Sequence, residues 1–212
     1  MKSTVAIAVD RQVFVSQHIG DLDTAEAFHA FQRAIKDLCT LYAFEPELVA
    51  CDLHPQYRST LFAETLGLPV VRVQHHIAHV AACAAENDVT GPYLGVAWDG
   101  TGYGTDGTIW GSEFFDVADG HFRRIGHLRP FRLLGGDAAA RDARRVAYWM
   151  LREIGVEWPF GWTRNEEAIL RRMHEGATNP PSSTGMGRLF DAAAAITGVA
   201  RDNRFEGQAA MS

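Results

Sequence analysis

Residues 73–113 constrain the fold more than any other part of the 212-residue chain, because a histidine pair, a strand and a run of glycines follow one another there. Residues 93–98 (YLGVAW) read as a buried strand that ends at Asp99. Gly100, Thr101, Gly102, Tyr103 and Gly104 come next, and residues 108–115 (TIWGSEFF) read as a second strand. A glycine loop between two strands can turn tightly and bring backbone N–H groups close to an anion. Upstream, His75 and His79 are four residues apart in an alanine-rich segment of helical composition. Residues at this spacing share a helix face, so both imidazoles can reach one point. Such a pair suits a divalent transition metal, with a carboxylate from elsewhere completing the set. It equally suits two polar residues at a helix start, hydrogen-bonded to backbone. His76 is rotated about 100° from His75 around the helix and is expected to point away from that ion.

Three familiar motifs are excluded by position. A zinc protease needs a glutamate directly after the first histidine, where this chain has His76. Gly102, Gly104 and Gly107 satisfy the dinucleotide-binding spacing, but that motif must open a helix and here a strand follows. Asp99 could start a calcium loop, yet Trp110 occupies the place of the bidentate glutamate. What remains is either the phosphate-binding hairpin geometry of actin-like and sugar-kinase-like ATPases or an ordinary glycine-rich β-hairpin.

The rest of the chain reads as support. Residues 3–9 and 12–17 predict a β-hairpin turning near Asp10 and Arg11. A long amphipathic helix follows, carrying Phe28, Phe31, Ile35, Leu38 and Tyr42, capped by Asp21 or Asp23 and ending before Pro46. A strand at 47–52, a helix at 57–66 and a strand at 69–73 lead into the histidine helix, the order of a parallel α/β layer. His54 sits beside Pro55 and reads as a turn residue bonded to backbone, as does His18. From Tyr93 the pattern restarts with strands at 93–98, 108–117 and 121–128, then a helix from Asp137, its expected cap, to Leu151. A short helix near 165–175 precedes a last one at 186–196, with Phe190, Ala193 and Ala194 facing inward. Two α/β lobes result, residues 1–90 and 91–212.

Hydrophobic residues make up 47% of the chain and charged residues 22%, so it can bury a core rather than remain disordered. A net charge of −6 without a basic patch argues against nucleic-acid binding. Cys39, Cys51 and Cys83 form no CxxC pair, which suits three buried thiols in a reducing compartment. No signal peptide or membrane-spanning run is visible, so the expectation is a cytoplasmic protein without membrane contact.

The blocks VQHHIAHVAAC, AEN and GVAWDGTGYGTDGTIWGSEFF resemble the HypF-type hydrogenase-maturation carbamoyltransferase family. HIGDLDTAEAF, DLHPQYRST, LLGGDAAARDARRVA, MGRLFDAAAAITG and FEGQAAM extend that resemblance over nearly the whole chain. The matching part is the carbamoyl-transferring domain, itself similar to the proteins that form threonylcarbamoyladenosine on tRNA. The resemblance implies a two-lobed α/β fold of the actin-like, sugar-kinase-like (ribonuclease H-like) type. It implies a divalent metal, iron or zinc, held by His75, His79 and Asp99. It also implies ATP or carbamoyl-adenylate bound by Gly100, Thr101, Gly102, Tyr103 and Gly104, with Asp191 and Gly207 at positions that contact nucleotide in the tRNA-modifying relatives. The acceptor would be the C-terminal cysteine of a partner protein.

In that family the domain continues with a further strand, a second nucleotide loop and a late aspartate ligand, and acylphosphatase-like, zinc and adenylate-forming domains lie upstream. The second lobe is therefore expected to be incomplete and inactive alone. Its open edge would recruit those missing domains or a second copy as a homodimer. The rival expectations are a non-catalytic binding module and O-carbamoylation of a small molecule.

Overall fold

The computed structural model describes residues 3–157, 159–205 and 207–211. The chain divides into two compact units, Met1–Val73 and Gln74–Ser212.

In the first unit, β1 (Ala6–Val9) and β2 (Gln12–Val15) form the expected antiparallel hairpin, with Asp10 taking the left-handed backbone of the turn. Helix α1 (Ala25–Leu41) starts later than either aspartate suggested. Its cap is Thr24, whose Oγ1 accepts from Ala27 N at 3.2 Å, while Asp21 accepts from Asp23 N in the preceding turn. Phe28 and Phe31 of α1 meet Phe62 of α2 (Arg58–Glu64) edge to face, each at 5.7 Å. Such ring pairs add roughly 0.5–1.5 kcal/mol beyond their burial. Strands β3 (Val49–Asp52) and β4 (Val70–Val73) pair in parallel around α2, as the strand–helix–strand order requires. His54 is a turn residue, its Nδ1 accepting from Gln56 N.

The second unit begins with α3 (His75–Glu86), followed by the meander β5 (Tyr93–Tyr103), β6 (Ile109–Ala118) and β7 (His121–His127). Along β5, Gly95 and Ala97 turn inward while Leu94, Val96 and Trp98 face out, the period of a strand with one buried face. A Cβ on Gly95 would stand 2.4 Å from Val80, so this glycine lets α3 lie directly on the sheet. Val80, Ala97, Trp110, Phe115 and Val117 form the core beneath it. Strand β8 (Phe131–Arg132) pairs with β9 (Ser182–Ser183), which joins β6 at Ile109.

Four expectations are corrected here. First, the strand beginning at Tyr93 does not end before the glycines. It continues to Tyr103 across an irregularity between Trp98 and Gly102, and pairing resumes with Gly102 opposite Trp110. The glycines were read as a turn, but a β-bulge absorbs the extra residues and the turn is displaced to residues 104–108, where Gly104 N donates to Thr108 O. Second, the helix from Asp137 is two: α4 (Asp137–Arg141), capped by Gly136, and α5 (Arg144–Glu153). Asp142 breaks it in extended conformation, its carboxylate accepting from Arg144 N, Nε and Nη2. Third, after α6 (Arg164–Arg172) and a π-turn at Met173–Ala177, the helix α7 (Met186–Thr197) buries Ala194 as expected but exposes Phe190 and Ala193. It is rotated so that Arg188 and Asp191, joined at 2.9 Å, face inward together. Fourth, the thiols are not buried: Cys39 and Cys51 are half-exposed and Cys83 is exposed. A short α8 (Gln208–Met211) follows α7. Leu134, Val146, Ala147, Ala192 and Ala195 anchor the core between α5 and α7. Among the described residues, no helix is long and apolar enough to cross a membrane.

Candidate metal centre

Every residue of the histidine–aspartate cluster lies in the second unit. Gln74 caps α3 from an extended backbone, and its Oε1 accepts from both His76 N (2.8 Å) and Ile77 N (3.0 Å). This fixes where the helix begins, and so places His75 in its first turn with His79 one turn on, on the same face. Asp99 stands on β5 at the start of the bulge, which frees it from ladder pairing and aims its carboxylate at the helix.

The resulting geometry is tight. His75 Nε2 lies 3.1 Å from Asp99 Oδ2, His79 Nε2 lies 4.0 Å from the same oxygen, and the two Nε2 atoms are 3.2 Å apart. One ligand atom from each of the three residues falls within 4.8 Å of the others. The side chains of His75, His79 and Asp99 are 30%, 56% and 18% exposed, so the cluster is open on the His79 side. Burial raises the Asp99 pKa, but hydrogen bonds from His75 and from Gly100 N, with the charge of His75 and His76, outweigh it and hold it at about 2. Asp99 is thus an anion at neutral pH. Two imidazoles and one carboxylate with an open side match a transition-metal site that keeps a position for substrate.

His76, expected to point away, does not. Its Nε2 is 3.9 Å from Asp99 Oδ2, and the ring is fully buried. Burial, then the neighbouring His75, lower its pKa to about 4. The helical angle suggested exclusion because it treats side chains as spokes, whereas β5 approaches near enough to meet two adjacent histidines.

The glycines have packing reasons. A Cβ on Gly102 would sit 2.5 Å from His76 Cε1, and one on Gly104 would sit 2.3 Å from the Trp110 indole nitrogen. Gly100, with Thr101, lies in the bulge, where its backbone touches two glycines of the α7 entry: a Cβ on Gly185 would fall 2.3 Å from Gly100 O, and one on Gly187 2.9 Å from Gly100 Cα. Tyr103 O accepts from Gln74 Nε2 at 3.1 Å.

Neither Asp191 nor Gly207 belongs to the cluster of His75, His79 and Asp99. Asp191 is buried, which raises its pKa against the opposing effect of Arg188. Asn203 Nδ2 donates to Asp191 Oδ1 at 2.8 Å, and Asn203 Oδ1 accepts from Ala209 N at 3.1 Å. Asn203 therefore ties Asp191 to the chain entering α8, where Gly207 has φ 77°. Asn203, Gly185, Gly187 and Gln74 carried no sequence signal strong enough to single them out; the Gly-Met-Gly before a helix was the nearest to one.

Comparison with known proteins agrees along the whole chain. Residues 1–86 match the family model described as HypF Kae1-like domain, and residues 95–212 match carbamoyltransferase, Kae1-like domain, second subdomain. The chain is 45% identical over 217 residues to the carbamoyltransferase HypF of Rhizobium leguminosarum and 42% identical over 238 residues to that of a Synechocystis. All of the chain is covered in both, but only 28% and 30% of those relatives. A crystal structure of full-length HypF in a phosphate- and nucleotide-bound form superposes with TM-score 0.88 at 38% identity, covering 99% of this chain and 34% of that one. HypF of T. kodakarensis gives 0.89 at 27% identity, covering 98% and 30%. The mixed-sheet α/β architecture is the one these structures share, consistent with a ribonuclease H-like fold. The chain belongs to the HypF carbamoyltransferase family and spans its Kae1-like domain region.

Proposed function

We propose that this chain forms the site at which a carbamoyl group passes from carbamoyl-adenylate to the C-terminal cysteine of a partner protein, a step in nickel–iron hydrogenase maturation. The observation that carries the reading is the approach of His75 and His79 to one oxygen of an ionised Asp99. These three residues would hold a divalent iron or zinc ion, which when bound supplies Lewis-acid stabilisation of nucleotide oxygens. The stretch Gly100, Thr101, Gly102, Tyr103 and Gly104 would lie along the phosphates, although Gly100 N already donates to Asp99 and Gly104 N to Thr108 O, with Asp191 and Gly207 on the nucleoside side. The nucleotide-bound state of the full-length HypF relative supports ATP or carbamoyl-adenylate as the bound species. In the transfer, the partner's thiolate attacks the carbamoyl carbon, the C–O bond to phosphate breaks and AMP leaves with the electron pair. The chain's own side chains orient and neutralise, and the sulfur comes from outside. The chain spans 28% and 30% of the two curated relatives, and in this reading carbamoyl-adenylate is formed in the part of them that it does not match.

The test is elemental analysis of the purified chain with Zn²⁺ and Fe²⁺ titration, followed by AMP release from carbamoyl-adenylate with a cysteine-terminated acceptor peptide. One bound ion lost in His79→Ala and Asp99→Ala supports the reading. Equal metal content in the wild type and both variants rejects it.

A further inference from the structure

His76 has a definite hydrogen-bonding state that follows from its neighbours. Gln74 Oε1 already accepts two backbone N–H groups, so the other end of that amide is the NH₂ group. This NH₂ donates to Tyr103 O at 3.1 Å and faces His76 Nδ1 at 3.1 Å. An amide NH₂ can only donate, so Nδ1 of His76 carries the lone pair and Nε2 carries the proton. That Nε2–H is fully buried, has no hydrogen-bond acceptor among the described residues, and lies 3.9 Å from Asp99 Oδ2. The β5 backbone at Gly102 closes the other side of the ring, since a Cβ there would stand 2.5 Å from Cε1. The ring is therefore gripped between Gln74 and β5, with one donor aimed at the carboxylate.

Resting on the metal-site reading above, we infer that His76 is a positioning residue rather than a third imidazole ligand. A nitrogen that bears a proton cannot ligate a cation, and the nitrogen that could is occupied by Gln74. What remains for Nε2–H is Asp99 Oδ2, which at 3.9 Å lies beyond hydrogen-bond length but within a small rotation of the carboxylate, so that His76 orients Asp99 as outer-shell groups orient ligating carboxylates. Gln74, through the tautomer it imposes, decides that His76 serves the carboxylate and not the ion. An open, three-residue site depends more on such support than a closed four-residue one, because fewer ligands fix its geometry.

Two measurements on the whole chain test this. Long-range ¹H–¹⁵N NMR of the metal-free protein reads the tautomer directly, and the expected pattern for His76 is protonated Nε2 with bare Nδ1. Zn²⁺ affinity, by competition with a chromophoric chelator, is expected to fall about 10- to 100-fold in His76→Leu, which keeps the volume and removes the donor. His76→Gln, which restores an N–H, should recover most of that loss, and His79→Ala marks the loss of a true ligand. A His76 found protonated on Nδ1 overturns the inference, and that reading needs no variant to fold. So does a His76→Leu chain that binds Zn²⁺ like the wild type while His79→Ala does not. A folded wild type that binds no Zn²⁺ rejects the metal reading itself, and the inference falls with it.

Discussion

Gly102 and His76 are in such close apposition that the smallest side chain on the glycine would overlap the imidazole, its Cβ 2.5 Å from Cε1. The same Cβ would stand 2.9 Å from His75 Cβ and 3.0 Å from His75 Cδ2. The glycine-rich strand and the histidine helix are thus one packed unit, and the absence of a side chain at position 102 sets how near Asp99 can come to its imidazoles.

Gly102→Ala should accordingly destabilise the chain by about 1–3 kcal/mol, the usual cost of overpacking. Zn²⁺ affinity should fall with it, because both His75 and His76 must move. Urea unfolding and chelator competition measure the two effects. An alanine variant with unchanged stability and affinity would mean that α3 slides freely over β5.

Acid should weaken the fold in a defined window. The folded pKa of His76 is about 4 against an ordinary 6.5, chiefly through burial. Its contribution is complete above pH 6.5, where both states are neutral, and is lost as pH falls from 6.5 to 4, where only the unfolded chain takes the proton. The shift corresponds to roughly 3 kcal/mol. Asp99, held at about 2 against 3.8, adds a second loss as pH falls below 3.8. Denaturant unfolding of the metal-free chain between pH 7.5 and 4 should show the first slope, and His76→Leu should remove it. Parallel pH curves for the two proteins would contradict the assignment.

The β5–β6–β7 meander, the parallel β3–β4 pair and the i, i+4 histidine pair were legible from local periodicity and chain order, whereas β8 and β9, two residues each, were not. The bulge was not, since Gly100, Gly102 and Gly104 carry the same local signal whether they turn or merely leave room for His76, Gly185 and Trp110. Only the opposing strand, through Gly102 opposite Trp110, decides between these. The face of α7 was misjudged for a related reason. Phe190 outranks Arg188 in hydrophobicity, yet Arg188 and Asp191 take the inner face as an ion pair, with Arg188 Nη1 also donating to Ala140 O and Asn203 donating to Asp191, while Arg188 Nε and Asp191 Oδ2 lack a hydrogen bond among the described residues. His76 was lost to an angle counted on an isolated helix.

Glu113 should prove a structural carboxylate. It is fully buried; its Oε1 accepts from Gly111 N, Ser112 N and Thr184 Oγ1, and its Oε2 from Arg124 Nε at 2.6 Å. Burial raises its pKa, but the bonds from Thr184 and Arg124 outweigh that and lower it. Arg124 also lies over the Trp110 ring at 3.9 Å. Glu113→Gln turns an NH₂ toward groups that only donate, and should cost about 2–4 kcal/mol in urea unfolding. A near-neutral substitution would show that solvent reaches this corner of the sheet.

Gly185 should be the least replaceable position near the site. A Cβ there would meet Gly100 O at 2.3 Å, and one on Gly111 would meet Gly185 Cα at 2.5 Å and Asp99 O at 2.7 Å. These are backbone atoms, so no side-chain rotation relieves the overlap, and the segment bearing Asp99 must shift instead. Gly185→Ala should therefore lose at least about 2 kcal/mol, with a fall in Zn²⁺ affinity even though residue 185 is not one of the three ligands. Ala193→Ser, on the exposed face of the same helix, should change neither quantity. If Gly185→Ala loses stability but keeps full affinity, Asp99 is held by the histidine helix alone and the α7 entry plays no part in aiming it.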